Sequence, residues 1–194
     1  STVATSTRTA SASHTYAAAS VNELRITVTD DDGGVAATTY QYVVIFDPNG
    51  GYVAGSGWIQ SGPGAYLANP SLTGTARFGF NSKYQKGVSV PTGSTDFSFS
   101  VGGFSFKSTS YEWLVVQNYK AQYKGVGQVN GQGDYGFQIT AIDGQLLVTK
   151  EPDRFRIRIW DRATGQVVYD NRRGDDPNGE ASTAIDGGNI TIHS

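Results

Sequence analysis

A side-chain alternation of period two between Phe97 and Ile142 constrains the fold of this chain more than any other feature. Aromatic and branched residues alternate with small or polar ones in three segments, around Phe97–Val101, Tyr111–Val116 and Tyr135–Ile142. Successive side chains of a strand point to opposite faces, so each segment can turn one face to a core and one to water or a partner. No window of ten or more residues keeps a helical apolar period. The chain is therefore predicted to be all-β.

In the middle segment the simple alternation predicts which side chains share a face. Two sets of three residues alternate here: the first is Tyr111, Trp113 and Val115, and the second is Glu112, Leu114 and Val116. A regular strand would place the first three together on one face and the other three on the opposite face.

Glycine and short strand-like runs extend this pattern along the chain. The 194 residues include 25 glycines, and aromatic residues make up 12%. Many short β-branched and aromatic runs separated by Gly, Pro or Asn are typical of a jelly-roll-like or Ig-like sandwich. After residue 50 the predicted strands are Gly51–Gln60, Thr73–Tyr84, Thr95–Val101, Gly103–Lys107, Glu112–Gln117, Ala121–Val129, Tyr135–Asp143, Arg154–Asp161, Gln166–Asn171 and Gly188–His193.

Composition excludes several classes of protein. A net charge of −2 gives no basic footprint for a nucleic-acid partner. No apolar run reaches the roughly 18–20 residues that cross a bilayer, so no membrane span is expected. The absence of Cys excludes disulfides and thiolate metal sites.

The beginning of the chain and its overall polarity predict where the protein acts. The sequence starts at Ser1, contains no Met and shows no signal peptide, which we interpret as a segment of a longer precursor. Its richness in Ser, Thr, Gly and Asn is typical of a secreted or surface protein.

The first 47 residues contain two predicted strands. Ser1–Ser13 is a Ser/Thr/Ala run that is either a linker or an edge strand. Leu24–Thr29 and Thr39–Phe46 then flank a turn, Asp30–Gly34. His14-Thr15-Tyr16, the strand that runs from Val21 to Asp30, and Asp31-Asp32-Gly33-Gly34 resemble the closing half of a PKD-type domain, an Ig-like module common in bacterial surface proteins.

This resemblance is partial, and the missing part suggests a function. The opening half of a PKD-type domain is absent, and Asn22 stands where that family usually has an aromatic residue. A half sandwich leaves strand edges and apolar faces uncovered. We therefore predict that residues 1–47 pack on the following domain or join a neighbouring chain by strand addition.

The remaining residues, 48–194, are predicted to form one β-sandwich. They resemble a C-terminal module of bacterial secreted PKD-containing proteins, which implies location and architecture more than activity. The residues that carry the resemblance are Gly55–Ile59, Ser108–Val116, Tyr135–Phe137, Thr140–Gly144, Phe155–Asp161, Val168–Asn171 and Gly187–His193. The turn-rich stretch Asp47–Gly51 marks the predicted boundary.

Calcium is the expected metal, at two acidic loops. Calcium prefers six to eight oxygen ligands from carboxylates, amides and carbonyls, and neither loop has EF-hand spacing. For the first loop a metal-free solvated turn is the alternative interpretation, and in the second Arg172 and Arg173 argue against a strongly anionic site. The predicted ligands are Asp30 and Asp32 in the first loop and Asp170, Asp175, Asp176 and Asn178 in the second.

Aromatic residues provide the predicted ligand-binding positions. Sugar rings stack on Trp and Tyr, although most aromatic side chains of a sandwich belong to its core. We select Tyr66, Tyr119 and Trp113, of which Tyr66 and Tyr119 lie in polar or glycine-rich loops.

Two further patterns are open to more than one interpretation. In one predicted strand an apolar face formed by Phe155, Ile157 and Ile159 lies opposite a face with three arginines. The arginine face is either solvated and balanced by acids of neighbouring strands, or it binds an anion. Gly125, Gly127 and Gly131 are predicted to let aromatic rings lie against the backbone, since the signature of a phosphate-binding loop is missing.

Catalytic signatures are sparse, so no enzyme activity is predicted. The sequence has neither a Gly-x-Ser-x-Gly elbow nor an HExxH motif, and its two histidines lie far apart in the chain. The predicted function is a structural or adhesive module on a cell surface, bound to its own copies or to another extracellular protein. A carbohydrate-binding module is the alternative, and a hydrolase the third.

Overall fold

The structure, a computed structural model, describes residues 11–47 and 50–194. These ranges contain eleven strands and two short 3₁₀ turns, Ser100–Gly102 and Gly144–Leu146. The strands are β1 (Ser20–Thr29), β2 (Val35–Ile45), β3 (Tyr52–Ser61), β4 (Gly74–Lys83), β5 (Thr92–Phe99), β6 (Phe104–Gln117), β7 (Lys120–Val129), β8 (Gln132–Ile142), β9 (Arg154–Asp161), β10 (Val167–Asp170) and β11 (Gly187–His193). Residues 1–10 of the predicted linker or edge strand, and residues 48 and 49 of the predicted domain boundary, lie outside the described residues.

The strands form two antiparallel sheets. β1 and β2 make a two-stranded hairpin, and the other nine strands lie in the order β10-β9-β8-β7-β6-β5-β4-β3-β11. Strands that follow one another in the chain are neighbours in the sheet, except that β11 returns to pair with β3. The predicted all-β, sandwich-like fold is confirmed, and its main connectivity is a meander.

The large sheet curves so that β10, at one edge, meets the segment that follows β3, near the other edge. The Leu67 N–H donates to the carbonyl of Val168, and the Asp170 N–H donates to the carbonyl of Ala65, which joins β10 to the segment after β3. Rings from distant strands therefore face each other across one core. Phe78 of β4 stacks on Phe155 of β9 with 4.0 Å between ring centroids.

β6 is longer and less regular than the sequence predicts. The two predicted strands Gly103–Lys107 and Glu112–Gln117 belong to one strand of 14 residues. Its pairing with β7 shifts register twice, between Ser108 and Ser110 and between Tyr111 and Trp113.

The second register shift overturns the predicted faces of β6. Tyr111 pairs with Gly125 and Trp113 with Lys124, so Glu112 is an extra residue on this strand. A bulge of this kind re-aims the side chains that follow it. Leu114 therefore joins Tyr111 in the core cluster. Trp113 is buried on the opposite face, 6.2 Å from the ring of Tyr42.

Two of the three predicted glycines, Gly125 and Gly127 of β7, lie beneath aromatic rings. The prediction is wrong for Gly131, which lies in the β7–β8 turn with nothing within 4 Å of a Cβ atom. A Cβ atom on Gly125 would lie 2.8 Å from Cε1 of Phe137, and one on Gly127 would lie 2.5 Å from Cζ of Phe106. Both contacts are closer than real Cβ atoms allow, so the absence of a side chain lets each ring rest on the backbone.

Helices contribute little to this architecture. Across residues 11–47 and 50–194, no helix is long and apolar enough to cross a bilayer.

Candidate assembly interface

The β1–β2 hairpin carries five exposed large apolar side chains: Leu24, Ile26, Val28, Val35 and Tyr40. Register pairs Leu24 with Tyr40, Ile26 with Thr38 and Val28 with Ala36. Directly opposed residues share a face, so these six side chains form what we call the apolar face of the hairpin. Val28 is 63% exposed and Tyr40 56% exposed.

Both edges of the hairpin are open. No other strand of the described residues pairs with β1 or β2. β2 (Val35–Ile45) contains no charged residue and no proline over 11 residues. Natural edge strands generally carry such residues, because they hinder pairing with another chain. Apart from the Gln41 carbonyl, which accepts a hydrogen bond from the Asn178 amide, the outer edge of β2 is therefore free to accept a further strand. In contrast, β1 carries Glu23 and Arg25.

The base of the hairpin is held against the outer face of the large sheet by Tyr42. Its ring contacts Trp113, and the Lys124 ammonium lies 5.1 Å from the ring centroid. Its hydroxyl donates to Oε1 of Gln138 over 3.2 Å. Burial is the main cause that raises the pKa of the Tyr42 phenol above its ordinary value. The neutral phenol is thus part of the packed contact.

Lys124 connects this contact to a wider cluster on the sheet. Its ammonium donates to Oε2 of Glu112 over 2.7 Å and also lies 5.8 Å from the ring centroid of Trp160. Glu112, the extra residue of the β6 bulge, therefore supplies the carboxylate that pairs with Lys124. Trp113, the next residue, supplies the indole that contacts Tyr42.

Three further contacts fix the base of the hairpin. Phe46 stacks on Tyr84 with ring centroids 5.2 Å apart. The Gln117 amide donates to the carbonyl of Ala19, and the Asn178 amide donates to the carbonyl of Gln41, both over 2.8 Å. The base is consequently anchored while the tip projects.

The predicted metal ligands of the hairpin turn serve the turn itself. Oδ1 of Asp30 accepts the Gly34 N–H over 2.6 Å, and the Asp30 carbonyl accepts the Gly33 N–H. Asp32 lies in the same exposed turn. Within the described residues, no three His, Asp or Glu side chains gather as a metal group. Calcium at this turn stays a prediction.

The second acidic loop surrounds a guanidinium. Arg156, only 2% exposed, donates from Nε and Nη2 to the two carboxylate oxygens of Asp170, over 3.2 and 3.0 Å. It also donates to the carbonyls of Arg172, Asp175 and Asp176. The side chain of Asp175 is bound to Arg172, and Asn178 contacts the hairpin. Calcium binding by this loop also stays a prediction.

Arg156 matches neither interpretation of its strand completely. The core face of β9 consists of Phe155, Ile157 and Ile159, as predicted. On the opposite face Arg156 is balanced by an acid of the neighbouring strand β10, but it is buried rather than solvated.

The three predicted ligand-binding aromatics do not come together. Tyr66 contacts Phe104 at the start of β6, whereas Tyr119 follows the end of the same 14-residue strand. Trp113 is covered by Tyr42. Tyr66 and Tyr119 thus lie near opposite ends of β6, and Trp113 lies in the seat of the hairpin, by which we mean its contact surface on the large sheet around Tyr42.

Sequence reasoning missed Tyr42, Gln138 and Arg156. Tyr42 lies in an alternating strand like many core tyrosines, so the sequence contained no signal that its partners would be Trp113 and Lys124. For Arg156, the acidic loop 14 to 20 residues later was the available signal.

Comparisons with protein families, with curated proteins and with solved structures find no match for this chain. The resemblance to PKD-type domains consequently stays a prediction, and the candidate interface is argued from its geometry.

Proposed function

We propose that this chain is a non-catalytic assembly module that joins its own copies through the β1–β2 hairpin. The observation that supports this proposal is an anchored hairpin with an exposed apolar face and a charge-free outer edge on β2. Such a segment suits a secreted or surface-displayed structural or adhesive protein.

Energetics favour the burial of this hairpin in a larger sheet. A two-stranded hairpin by itself is marginally stable in water, and three or more strands with a buried face are needed for independent stability. Added strands satisfy open backbone groups, while side-chain pockets supply specificity. Strand addition along β2 would extend the two-stranded sheet and carry its apolar face into a shared interface.

A charge on the apolar face should weaken this assembly without unfolding the chain. Val28→Lys places an ammonium at a position that is 63% exposed, so the monomer loses little packing. Val101→Lys is the matched control, because Val101 is 57% exposed and lies in the 3₁₀ turn between β5 and β6.

Sedimentation equilibrium distinguishes the outcomes. We expect the native chain and Val101→Lys to exceed the monomer mass of 20.7 kDa as concentration rises, whereas Val28→Lys should remain near it. A native chain that stays at 20.7 kDa up to about millimolar concentration would refute self-assembly, since even weak association has a Kd in that range.

A further inference from the structure

A groove with a cavity volume of about 410 Å³ lies at the end of the large sheet where β6 begins. Its size falls within the usual range for ligand pockets, roughly 300–1,000 Å³. Four segments converge on it: the loop after β3, the β7–β8 turn, the start of β8 and the β9–β10 connection. Their main contributions are Tyr66, Asn130, Tyr135 and Gln166, above an apolar floor that includes Phe104 and Val129.

The two tyrosines are fixed by their surroundings. Tyr66 forms an isolated bridge with Tyr169, and its ring lies 5.9 Å from Phe99 and 5.5 Å from Phe104. The ring of Tyr135 lies over Gly133, where a Cβ atom would approach within 2.5 Å. A ligand would therefore meet aromatic surfaces that need little ordering, which reduces the entropic cost of binding.

Polar groups at the rim are available to a ligand. The Asn130 amide is oriented by Ser105 and Gly103, with Oδ1 accepting two hydrogen bonds and Nδ2 donating one. Among the described residues, the side chains of Tyr66, Tyr135 and Gln166 make no hydrogen bond. Each of these three groups can both donate and accept.

Charge narrows the class of ligand. None of the described residues that line the groove is charged. Two backbone N–H groups that border the groove are already paired, because the Leu67 N–H donates to Val168 and the Asn130 N–H to Ser105. An anion would lack a counter-charge here, and an added peptide strand could not pair with these two groups.

We propose that the groove binds a neutral saccharide. Aromatic surfaces can pack against the apolar faces of sugar rings, and hydroxyl and amide groups can pair with sugar hydroxyls in either direction. This proposal is independent of assembly, since none of the residues that line the groove belongs to the β1–β2 hairpin.

Titration by nuclear magnetic resonance can test the site with defined probes. The probes are the neutral hexasaccharides of cellulose, chitin, laminarin and mannan, a polygalacturonate oligosaccharide as the anionic probe, and a proline-rich peptide. We expect at least one neutral probe to shift amide resonances near Tyr66, Asn130 and Gln166. Val28→Lys should bind the same probe equally well.

Variants then assign the binding to the groove. Tyr135→Ala should weaken binding about tenfold or more, as loss of a central aromatic contact commonly does. Tyr66→Phe, which keeps the ring in place, and Gln166→Ala should each weaken it about threefold or more. Tyr119→Ala, at the other end of β6, is the control and should bind as the native chain does.

Several results would overturn the proposal. These are no shift near the groove with any neutral probe, binding of the anionic probe or the peptide alone, and unchanged affinity in correctly folded Tyr135→Ala.

Discussion

A buried charge organises the loop after β10. The guanidinium of Arg156 is paired with Asp170, and both side chains are almost completely buried, at 3% and 4% exposed. Three loop carbonyls accept its remaining hydrogen bonds. The same loop places Asn178 against the hairpin. Arg156, which holds the loop, therefore connects the large sheet to the proposed interface.

Removal of Arg156 should destabilise the fold strongly. Arg156→Ala would leave the Asp170 carboxylate buried and unpaired, for which we expect a loss of about 3–5 kcal/mol in the free energy of unfolding. Chemical denaturation measures this loss. The exposed pair of Arg162 and Asp134 is the comparison. Arg162→Ala should cost no more than about 1 kcal/mol, and equal losses in the two variants would contradict the assigned role.

At the scale of elements, the β6–β7 pair determines what reaches each side of the large sheet. Its bulge turns Leu114 inward and Trp113 outward, while glycines of β7 make room for rings of the core. The hairpin seat on one face and the aromatic core on the other therefore depend on the same two strands.

Glycine-to-alanine substitutions should lower the free energy of unfolding at crowded positions and leave it unchanged or raise it at open ones. A Cβ atom on Gly125 would lie 2.3 Å from the carbonyl oxygen of Ser110, so Gly125→Ala should lower the free energy of unfolding by about 1–3 kcal/mol or more. Gly79→Ala, where nothing lies within 4 Å, should be neutral or stabilise by about 0.4–1 kcal/mol. Thermal unfolding of both variants is the measurement, and equal destabilisation would argue against the described packing.

Period-two alternation was sufficient to predict most strands but not the irregularities that place the candidate interface. β9 and β11 were found with boundaries close to those observed, because their apolar residues alternate strictly. The bulge at Glu112 has no comparable local signal, since it arises from pairing with β7. Partners distant in sequence, such as Tyr42 with Trp113, depend on how the sheet curves.

For the molecule as a whole, buried tyrosines link stability to alkaline pH. Burial is the main cause that raises the pKa of five phenols above the ordinary value of 10.0: Tyr42, Tyr84, Tyr111, Tyr123 and Tyr169. Below about pH 10 these groups are neutral in both the folded and the unfolded chain, so they add no pH dependence there. Above it, the unfolded chain loses protons that the folded chain retains.

The fold should therefore lose stability as pH rises beyond about 10. Each such tyrosine lowers the free energy of unfolding by about 1.4 kcal/mol per pH unit until its folded pKa is reached. Phenolate absorbance and circular dichroism, recorded together, should show that part of the phenolate signal appears only as strand structure disappears. Complete ionisation of all tyrosines with the strand signal intact would contradict this expectation.

Hydrogen exchange at low and high protein concentration tests the assembly role of the hairpin most directly, because it locates the interface on the chain. We expect amides of β1 and β2 to exchange more slowly as concentration rises, while those of the nine-stranded sheet are unchanged. Hairpin amides that exchange at the same rate at every concentration, or slowing confined to β3–β11, would contradict it.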